Sequence, residues 1–278
     1  MSMADGSSLI APRSSLEVMA ILNVTPDSFS DGGAHFGRRR ALESALRMEA
    51  EGAAIIDVGG ESTRPGSDGV SVDEELERVV PVIEALRART EVRISVDTRK
   101  ARVAQAALDA GADIVNDVSA LRHDPEMRRL IAQRGVPVIL MHMRGEPRTM
   151  QEHIQYGDVV TDVLDELSEW RDEAMLAGIA EFQILVDPGI GFGKTAEHNL
   201  ELLARCEEFT RLAPVVIGAS RKGFIGKLTG REAGPARMAG SLAAVAAAYR
   251  GGASIVRVHD VRETMDFLKV LQAIEART

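Results

Sequence analysis

A glycine-led joint between an amphipathic stretch and an apolar, β-branched run recurs along this 278-residue chain and limits the folds it can adopt. The joint occurs at residues 51–58, 110–116 and 251–256, and a fourth copy surrounds Gly135. A glycine just after a helix readily takes the left-handed conformation that ends it, and a short apolar run is typical of a parallel strand covered on both faces. The repeat therefore indicates consecutive helix-to-strand units.

Eight such strands, separated by helical patterns, are predicted along the chain. The strands are predicted at residues 17–23, 55–59, 93–97, 114–117, 137–141, 183–187, 215–218 and 255–258. The helices are predicted near residues 38–51, 72–88, 100–110, 125–133, 158–177, 196–210, 236–250 and 261–276. Eight alternations in a chain near the ~250 residues usual for such a fold favour a single-domain (β/α)8 TIM barrel of the α/β class over an open doubly wound sheet. We expect the barrel over residues 17–278, after a flexible N-terminal extension over residues 1–16.

Composition and charge narrow the classes of partner. The formal net charge is −9, from 33 basic and 42 acidic residues, which argues against binding to nucleic acid. The Ser-rich start lacks the apolar core of a signal peptide, and the longest apolar run, residues 242–249, is too short to span a membrane. A single cysteine, Cys206, is typical of a reducing compartment, so we expect a cytoplasmic protein that does not bind membranes.

Polar residues lie at or just after the ends of the predicted strands, where the active site of such a barrel is found. Each of them alone is compatible with a helix cap or a turn, but their number favours a site. Asp97, Asn116 and Asp187 are short acceptors that suit the N–H edge of a flat heterocycle such as a pterin or a guanine. Cationic donors that suit a phosphate or pyrophosphate are Arg64, Lys222, Arg257 and His259. Further polar residues at strand ends are Asn23, Asp57, Asp117, His142 and Ser220.

Two other interpretations of local motifs are less favoured. The string Gly193-Lys194-Thr195 resembles the end of a phosphate-binding P-loop, but that motif needs a glycine where this chain has Pro188. Lys222 at a strand end could form a Schiff base, but its neighbours Ser220 and Arg221 favour a hydrogen-bonding role instead. Residues 218–222 lead into a short predicted helix whose N-terminus favours an anion.

Four strings of residues together carry a resemblance to a known family. They cover residues 21–33, 57–66, 187–192 and 220–222, and they closely resemble the corresponding motifs of the dihydropteroate synthases of folate biosynthesis. The resemblance extends over residues 18–275. It implies a (β/α)8 barrel that condenses 6-hydroxymethyl-7,8-dihydropterin pyrophosphate with 4-aminobenzoate and releases pyrophosphate, with Mg2+ as cofactor and a homodimer as the assembly.

The resemblance also implies roles for individual residues. The pterin would be held by Asp97, Asn116, Asp187 and Lys222, and its faces would be covered by Met141, Phe192 and Arg257. Pyrophosphate would be held by Asn23, Arg257 and His259, with Asn23 as the magnesium ligand. Residues 25–31 and 62–66 would form loops that close over the site, and Phe29 and Pro65 would flank the aminobenzoate ring. Thr63 and Arg64 would be further substrate-binding positions. The remaining substrate-binding positions are Gly218, Ser220 and Gly223, and the catalytic group is Asp97, Lys222, Arg257 and His259.

One position departs from the family pattern. Many members carry serine after the lysine, whereas this chain has Gly223, so backbone N–H groups would meet the aminobenzoate carboxylate there. The family reaction is dissociative, with pyrophosphate leaving before the arylamine attacks. Two alternatives stay open, namely the pterin domain of a methyltetrahydrofolate-dependent methyltransferase and an inactive pterin-binding paralogue.

Overall fold

The computed structural model describes residues 16–25, 33–62, 67, 69–146, 148–152 and 154–277, without the side chains of 33–36. Its strands are β1 (Glu17–Asn23), β2 (Ile55–Gly59), β3 (Arg93–Asp97), β4 (Ile114–Asp117), β5 (Val138–Met141), β6 (Ile184–Asp187), β7 (Val216–Ile217) and β8 (Ile255–Val258). All neighbouring strands pair in parallel, in the order β6-β5-β4-β3-β2-β1-β8-β7. A parallel bridge between Val186 and Val215 joins the two ends of this order and closes the barrel.

Helices cover the outside of the barrel. They are α1 (Gly33–Ala50), α2 (Val72–Arg87), α3 (Ala101–Asp109), α4 (Pro125–Arg134), α5 (Val159–Leu176), α6 (Ala196–Ala204), α7 (Gly223–Thr229), α8 (Met238–Arg250) and α9 (Val261–Glu275). The predicted fold class is therefore confirmed. The predicted extension over residues 1–16 lies, apart from Leu16, outside the described residues.

The glycine-led joints take the predicted backbone conformation. Gly52 and Gly111 both have φ of 107°, and Gly135 and Gly252 have φ of 65° and 72°. These angles lie in a region that side chains with a Cβ rarely adopt, so glycine ends the helix there and lets the chain turn into the next strand.

The largest differences between predicted and observed boundaries are at two helices. Helix α1 begins at Gly33, five residues before the predicted start, and α6 ends at Ala204 instead of residue 210. Arg205 leaves the helical region with φ of −109° and ψ of 26°, and the chain continues as a 3-10 helix over Cys206–Arg211. The tighter 3-10 turn turns the Cys206 and Phe209 side chains into the core.

The barrel interior is filled near its N-terminal end by a ring of apolar side chains. This ring consists of Met19, Ile55, Ile114, Ile139, Leu185, Val216 and Ile255. The residues next to them in sequence, such as Ile56 and Val256, belong instead to the larger core between the barrel and the helices. Because side chains alternate along a strand, the residues two positions after the ring must again face the interior, closer to the C-terminal mouth.

Candidate active site

The alternation along the strands brings a polar row to the mouth of the barrel. The seven positions two residues after the apolar ring are Ile21, Asp57, Asn116, Met141, Asp187, Gly218 and Arg257, and four of them are polar. Asp97 pairs in register with Asn116, and Met141 pairs with Asp187. Asn23 and His259 stand two residues further toward the mouth, on β1 and after β8. The strand register therefore brings six of the predicted site residues into one layer and places Asn23 and His259 just above it.

Arg257 lies at the centre of this layer between two carboxylates. Its Nε donates to Asp57 Oδ2 at 2.6 Å, and its Nη2 donates to Asp97 Oδ2 at 2.7 Å. Asn116 Nδ2 donates to the same Asp57 oxygen at 3.2 Å. Burial lowers the pKa of the Arg257 guanidinium, but Asp57 and Asp97 outweigh burial and raise it above its usual value. The charge of Arg257 is thus neutralised within the layer, whereas the sequence suggested a cation available to pyrophosphate.

Asp57 is a partner in this layer that the sequence analysis noted at a strand end but did not include in the site. Its side chain is fully buried, and its second oxygen, Oδ1, has no hydrogen-bond partner among the described residues. The signal that could have found it is the strand alternation, because Asp57 stands two residues after Ile55 of the apolar ring.

Asp97 titrates at an unusual pH for a carboxyl group. Burial raises its pKa from 3.8 to about 7; Arg257 opposes this rise, and the carboxylates of Asp57, Glu75 and Asp117 add to it. A carboxyl group with this pKa is partly protonated near neutral pH. It can therefore donate or accept a hydrogen bond at the mouth of the barrel.

The raised pKa of Asp97 predicts a pH-dependent stability change. Between pH 4 and pH 7 the folded protein holds a proton on Asp97 that the unfolded chain has lost, so this group's contribution to stability falls as pH rises. Asp97→Asn carries no titrating proton, so the variant should not lose this stability as the pH rises. We expect its free energy of unfolding at pH 8 to exceed that of wild type by up to about 4 kcal/mol. Urea denaturation at pH 4 and pH 8 measures the difference. An equal change at both pH values would contradict the assigned titration.

Asp187 is held in a fixed orientation by the loop that follows β6. Its Oδ1 accepts a hydrogen bond from the backbone N–H of Gly189 at 2.7 Å, and its Oδ2 lies 3.6 Å from the position that a Cβ on Gly218 would take. Burial raises the pKa of Asp187, and the Gly189 N–H and the charges of Lys222 and Arg257 oppose that rise. One oxygen of Asp187 is thereby oriented while the other is presented toward the interior of the mouth.

An apolar and cationic wall lies beside Asp187. The Lys222 ammonium stands 4.0 Å from the centre of the Phe192 ring, in cation–π geometry. Phe192 belongs to a separate apolar cluster together with Val118, Met141, Met143 and Met150. Met141 and Phe192 are thus brought together in one apolar surface that a flat ligand could lie against.

Ser220 and His259 form a second polar group after β7 and β8. Ser220 Oγ accepts the backbone N–H of His259 at 3.2 Å and lies 3.0 Å from its Nδ1. Because Oγ accepts the backbone hydrogen, its own hydrogen can be donated to Nδ1, which leaves the proton of a neutral imidazole on Nε2. Burial, and then the charges of Arg221 and Arg257, lower the pKa of His259 to about 3. Without a bound anion, His259 is therefore a neutral donor rather than the cation that the sequence suggests.

Asp117 and His142, two of the polar residues at strand ends, point away from the mouth. Asp117 faces outward on β4, where its Oδ1 accepts from Ser119 N at 2.7 Å and its Oδ2 from Leu121 N at 3.1 Å. His142 is fully buried against Glu166 and Lys194. The predicted residues Phe29, Thr63, Arg64 and Pro65, and most of the two loops that carry them, lie outside the described residues.

The predicted magnesium ligand is Asn23, and the described residues around it provide few metal donors. They contain no group of three or more His, Cys, Asp or Glu side chains that could hold a metal ion. Asn23 is half-buried at the end of β1, next to Gly59 of β2, and offers one amide oxygen. One protein oxygen is compatible with Mg2+ when a ligand supplies phosphate oxygens, because Mg2+ in such sites is held by few protein groups.

In the described part of the chain no helix is both long and apolar enough to cross a membrane.

Comparisons with known proteins agree with this geometry. Residues 19–259 match the family model of the pterin binding enzymes. Dihydropteroate synthase of Escherichia coli is 49% identical over 272 residues, which cover 97% of this chain and 95% of that protein. A structure of Xanthomonas albilineans dihydropteroate synthase with 4-aminobenzoic acid matches with a TM-score of 0.89 and 49% identity, over 95% of this chain and 94% of that one. A second structure of the Xanthomonas enzyme, in complex with 7,8-dihydropteroate, matches with a TM-score of 0.87 and 46% identity, over 96% of each chain.

The barrel, the polar layer at its mouth and the family match together define a class. The chain belongs to the pterin-binding enzyme family. Within that family it is a member of the dihydropteroate synthases, which are transferases.

Proposed function

We propose that the barrel mouth joins 6-hydroxymethyl-7,8-dihydropterin pyrophosphate to 4-aminobenzoate, forming 7,8-dihydropteroate and releasing pyrophosphate. The observation that carries this proposal is the division of the mouth into two sides. Buried acceptors and apolar faces stand at Asp187, Asn116 and Phe192, and the pair Ser220 and His259 stands after β7 and β8. A heterocycle with N–H donors suits the first side, and a diphosphate suits the second.

The pterin is held by its hydrogen-bonding edge and by its faces. Asp187 accepts from the N–H groups of the pyrimidine edge through the oxygen that Gly189 leaves free, and Asn116 provides an amide at the same depth. Met141 and Phe192 cover one face of the pterin. The Lys222 ammonium, which lies over the Phe192 ring, contacts the pterin at its edge. Asp187 and Asn116 are buried, and a surrounding of low dielectric constant strengthens hydrogen bonds to them.

The diphosphate is held by donors that respond to its charge. His259 presents Nε2–H, and the approach of an anion raises its pKa toward the charged form, because an opposite charge favours protonation. Asn23 would hold Mg2+ together with the diphosphate. When bound, the metal neutralises charge on the leaving group.

The reaction is dissociative. The bond between the pterin methylene carbon and the bridging oxygen breaks, and its electron pair leaves with pyrophosphate. The lone pair of the neutral arylamine then captures the methylene cation, and the nitrogen loses a proton to solvent. Asp97 in its ionised form stabilises positive charge on the ring during this interval, since its pKa of about 7 keeps that form populated near neutral pH.

Turnover with both substrates tests the proposed activity. With dihydropterin pyrophosphate, 4-aminobenzoate and Mg2+, we expect pyrophosphate and 7,8-dihydropteroate to form in equal amounts, measured by a coupled phosphate assay and by mass spectrometry. Methyltetrahydrofolate with a thiol acceptor serves as the control for a methyltransferase and should give no transfer. Transfer of a methyl group, or the absence of dihydropteroate, would contradict the proposal.

The order of bond cleavage is tested by omitting the second substrate. If cleavage comes first, the enzyme with Mg2+ and the pterin substrate alone should slowly release pyrophosphate. His259→Ala should slow this release more than it weakens pterin binding, because its contact with the diphosphate strengthens as the leaving group departs. Equal losses in release and in binding would indicate a ground-state contact.

The aminobenzoate carboxylate is proposed to lie near Gly223, the first residue of α7. No described atom lies within 4 Å of the position that a Cβ would take there, and the residue has helical backbone, so a serine introduces no strain. Gly223→Ser adds one exposed hydrogen-bond donor, and we expect it to lower the KM for 4-aminobenzoate by up to about tenfold. The KM for the pterin substrate should stay within about twofold. Steady-state kinetics measure both constants. If neither constant changes, the carboxylate of 4-aminobenzoate does not lie near Gly223.

Compartment and assembly complete the proposal. A reducing cytoplasm is proposed because a single cysteine, Cys206, leaves no partner in the sequence for an internal disulfide. Burial raises the pKa of this thiol to about 12, so it stays protonated and unreactive. A homodimer is proposed, and sedimentation equilibrium tests it: a mass of one chain at micromolar concentration would exclude it.

A further inference from the structure

Lys194 is a lysine buried behind the wall of the barrel mouth. Its side chain is 3% exposed, although a methionine would fill a similar volume without the cost of burying an amine. Its Nζ lies 3.0 Å from the carbonyl oxygen of Phe192 and 3.0 Å from Nδ1 of His142. The amine therefore joins the loop after β6 to the end of β5.

The loop that Lys194 holds is shaped by glycines. Gly189, Gly191 and Gly193 have φ of 70°, 86° and 60°, so the segment follows a path that regular strand or helix bonding does not stabilise. The approach of the loop to β5 is close, because a Cβ on Gly189 would meet the carbonyl oxygen of His142 at 1.9 Å and Lys194 Nζ at 3.3 Å. The donor of Lys194 thus supplies a fixed point inside the loop.

The other end of the contact is fixed as well. His142 Nε2 lies 3.1 Å from Glu166 Oε2, and Arg144 Nε donates to Glu166 Oε1 at 2.7 Å. Because an ionised carboxylate only accepts, His142 carries its proton on Nε2 and accepts from Lys194 at Nδ1. The imidazole also stacks on Trp170, with ring centres 5.2 Å apart. Lys194 therefore donates to an imidazole, that of His142, whose orientation is fixed by Glu166 and Trp170.

The loop that Lys194 holds also carries two groups of the proposed pterin pocket. The carbonyl group that Lys194 holds belongs to Phe192, whose ring stands 4.0 Å from the Lys222 ammonium. The same loop supplies the Gly189 N–H that orients Asp187. A shift of the loop would therefore move an apolar face and a hydrogen-bonding edge of the proposed pterin pocket together.

We propose that Lys194, anchored through His142 to Glu166, is a positioning residue that fixes Phe192 against Lys222 and so sets the shape of the pterin pocket. The proposal rests on the proposed function for the identity of the ligand. The charge balance around the amine agrees with it: burial lowers the pKa of Lys194 to about 7, Asp187 and Glu166 oppose this effect, and Arg144 and Lys222 add to it. A group retained at this cost is expected to serve a specific contact.

The variant Lys194→Met tests the proposal by separating the two substrates. We expect the dissociation constant for the pterin substrate, measured by calorimetry, to rise about tenfold, and the KM for 4-aminobenzoate to change by less than about twofold. Lys194→Gln keeps one donor for the Phe192 carbonyl but loses the contact with His142, so it should recover only part of the loss. Lys269→Met, at an exposed lysine of α9, makes the same chemical change outside the site and should leave both constants unchanged.

Coupling to Phe192 distinguishes positioning from a general structural role. If Lys194 acts through Phe192, the losses from Lys194→Met and Phe192→Leu should be non-additive in the double variant. A lower melting temperature with unchanged pterin affinity, or fully additive losses, would overturn the proposal. Should Lys194→Met fail to fold, Lys194→Gln is compared with wild type, and an unchanged pterin constant overturns the proposal. Failure of wild type itself to bind the pterin would instead contradict the proposed function.

Discussion

Replacing Arg257 with methionine is expected to abolish turnover and to destabilise the fold by about 3 to 5 kcal/mol. The guanidinium neutralises Asp57 and Asp97 at 2.6 and 2.7 Å, so its removal leaves two carboxyl groups buried without a counter-charge. Since Arg257 also lowers the pKa of Asp97, the variant should keep Asp97 protonated at neutral pH, which removes the charge proposed to stabilise the pterin cation. Urea denaturation and steady-state turnover measure the two effects.

A second substitution, made at Asp57 in the Arg257 variant, separates the effect on stability from the effect on turnover. Asp57→Asn combined with Arg257→Met removes one buried charge along with its partner, and it should recover a large part of the stability that Arg257→Met loses. Turnover should remain absent, because the guanidinium is still missing from the mouth. Wild-type stability in the single variant, or restored turnover in the double one, would contradict the arrangement of this layer.

Replacing Asp187 with alanine is expected to weaken pterin binding by about ten- to a hundredfold while leaving the fold intact. A charged hydrogen bond in a buried pocket has no neutral substitute of equal strength, and Asp187 is buried with one oxygen presented to the interior. Calorimetry with the pterin substrate measures the loss. Unchanged affinity would remove Asp187 from the site.

Asp117 provides the matched control for Asp187, because both end a strand but they face opposite sides of the barrel wall. Asp117 accepts hydrogen bonds from the backbone of Ser119 and Leu121 on the outer side. Asp117→Asn should therefore lower the melting temperature and leave pterin affinity unchanged. A loss of pterin affinity as large as that of Asp187→Ala would contradict the assignment of faces by strand alternation.

The sequence predicts the fold well because its signals are local. The glycine that ends a helix and the apolar run that follows it lie within a few residues, so the joints at Gly52 and Gly111 could be recognised without any knowledge of distant contacts. The end of α6 was predicted less well, since the turn at Arg205 depends on packing of Cys206 and Phe209 into the core.

The strand-end positions that meet at the barrel mouth could be predicted from the sequence, but the ion pairs among them and their charges could not. Strand ends identify Asp97, Asn116 and Asp187, whereas the partners of Arg257 lie 160 and 200 residues away and depend on strand register. The neutral state of His259 follows from burial and from nearby cations, which no local pattern reports.

The role of Lys194 could not be predicted either, because its contacts depend on residues distant in sequence. Its local string Gly193-Lys194-Thr195 suggested a phosphate loop that could be excluded, but the contact with His142 becomes visible when β5 and β6 are side by side.

A crystal structure with the dihydropterin pyrophosphate bound would test the central claim most directly. We predict that the pyrimidine edge lies within hydrogen-bond distance of the Asp187 carboxylate and the Asn116 amide, that the ring lies against Phe192, and that the diphosphate contacts His259 Nε2. A pterin bound outside the barrel mouth, or one whose diphosphate lies toward Asp187 with its pyrimidine edge toward His259, would contradict the account.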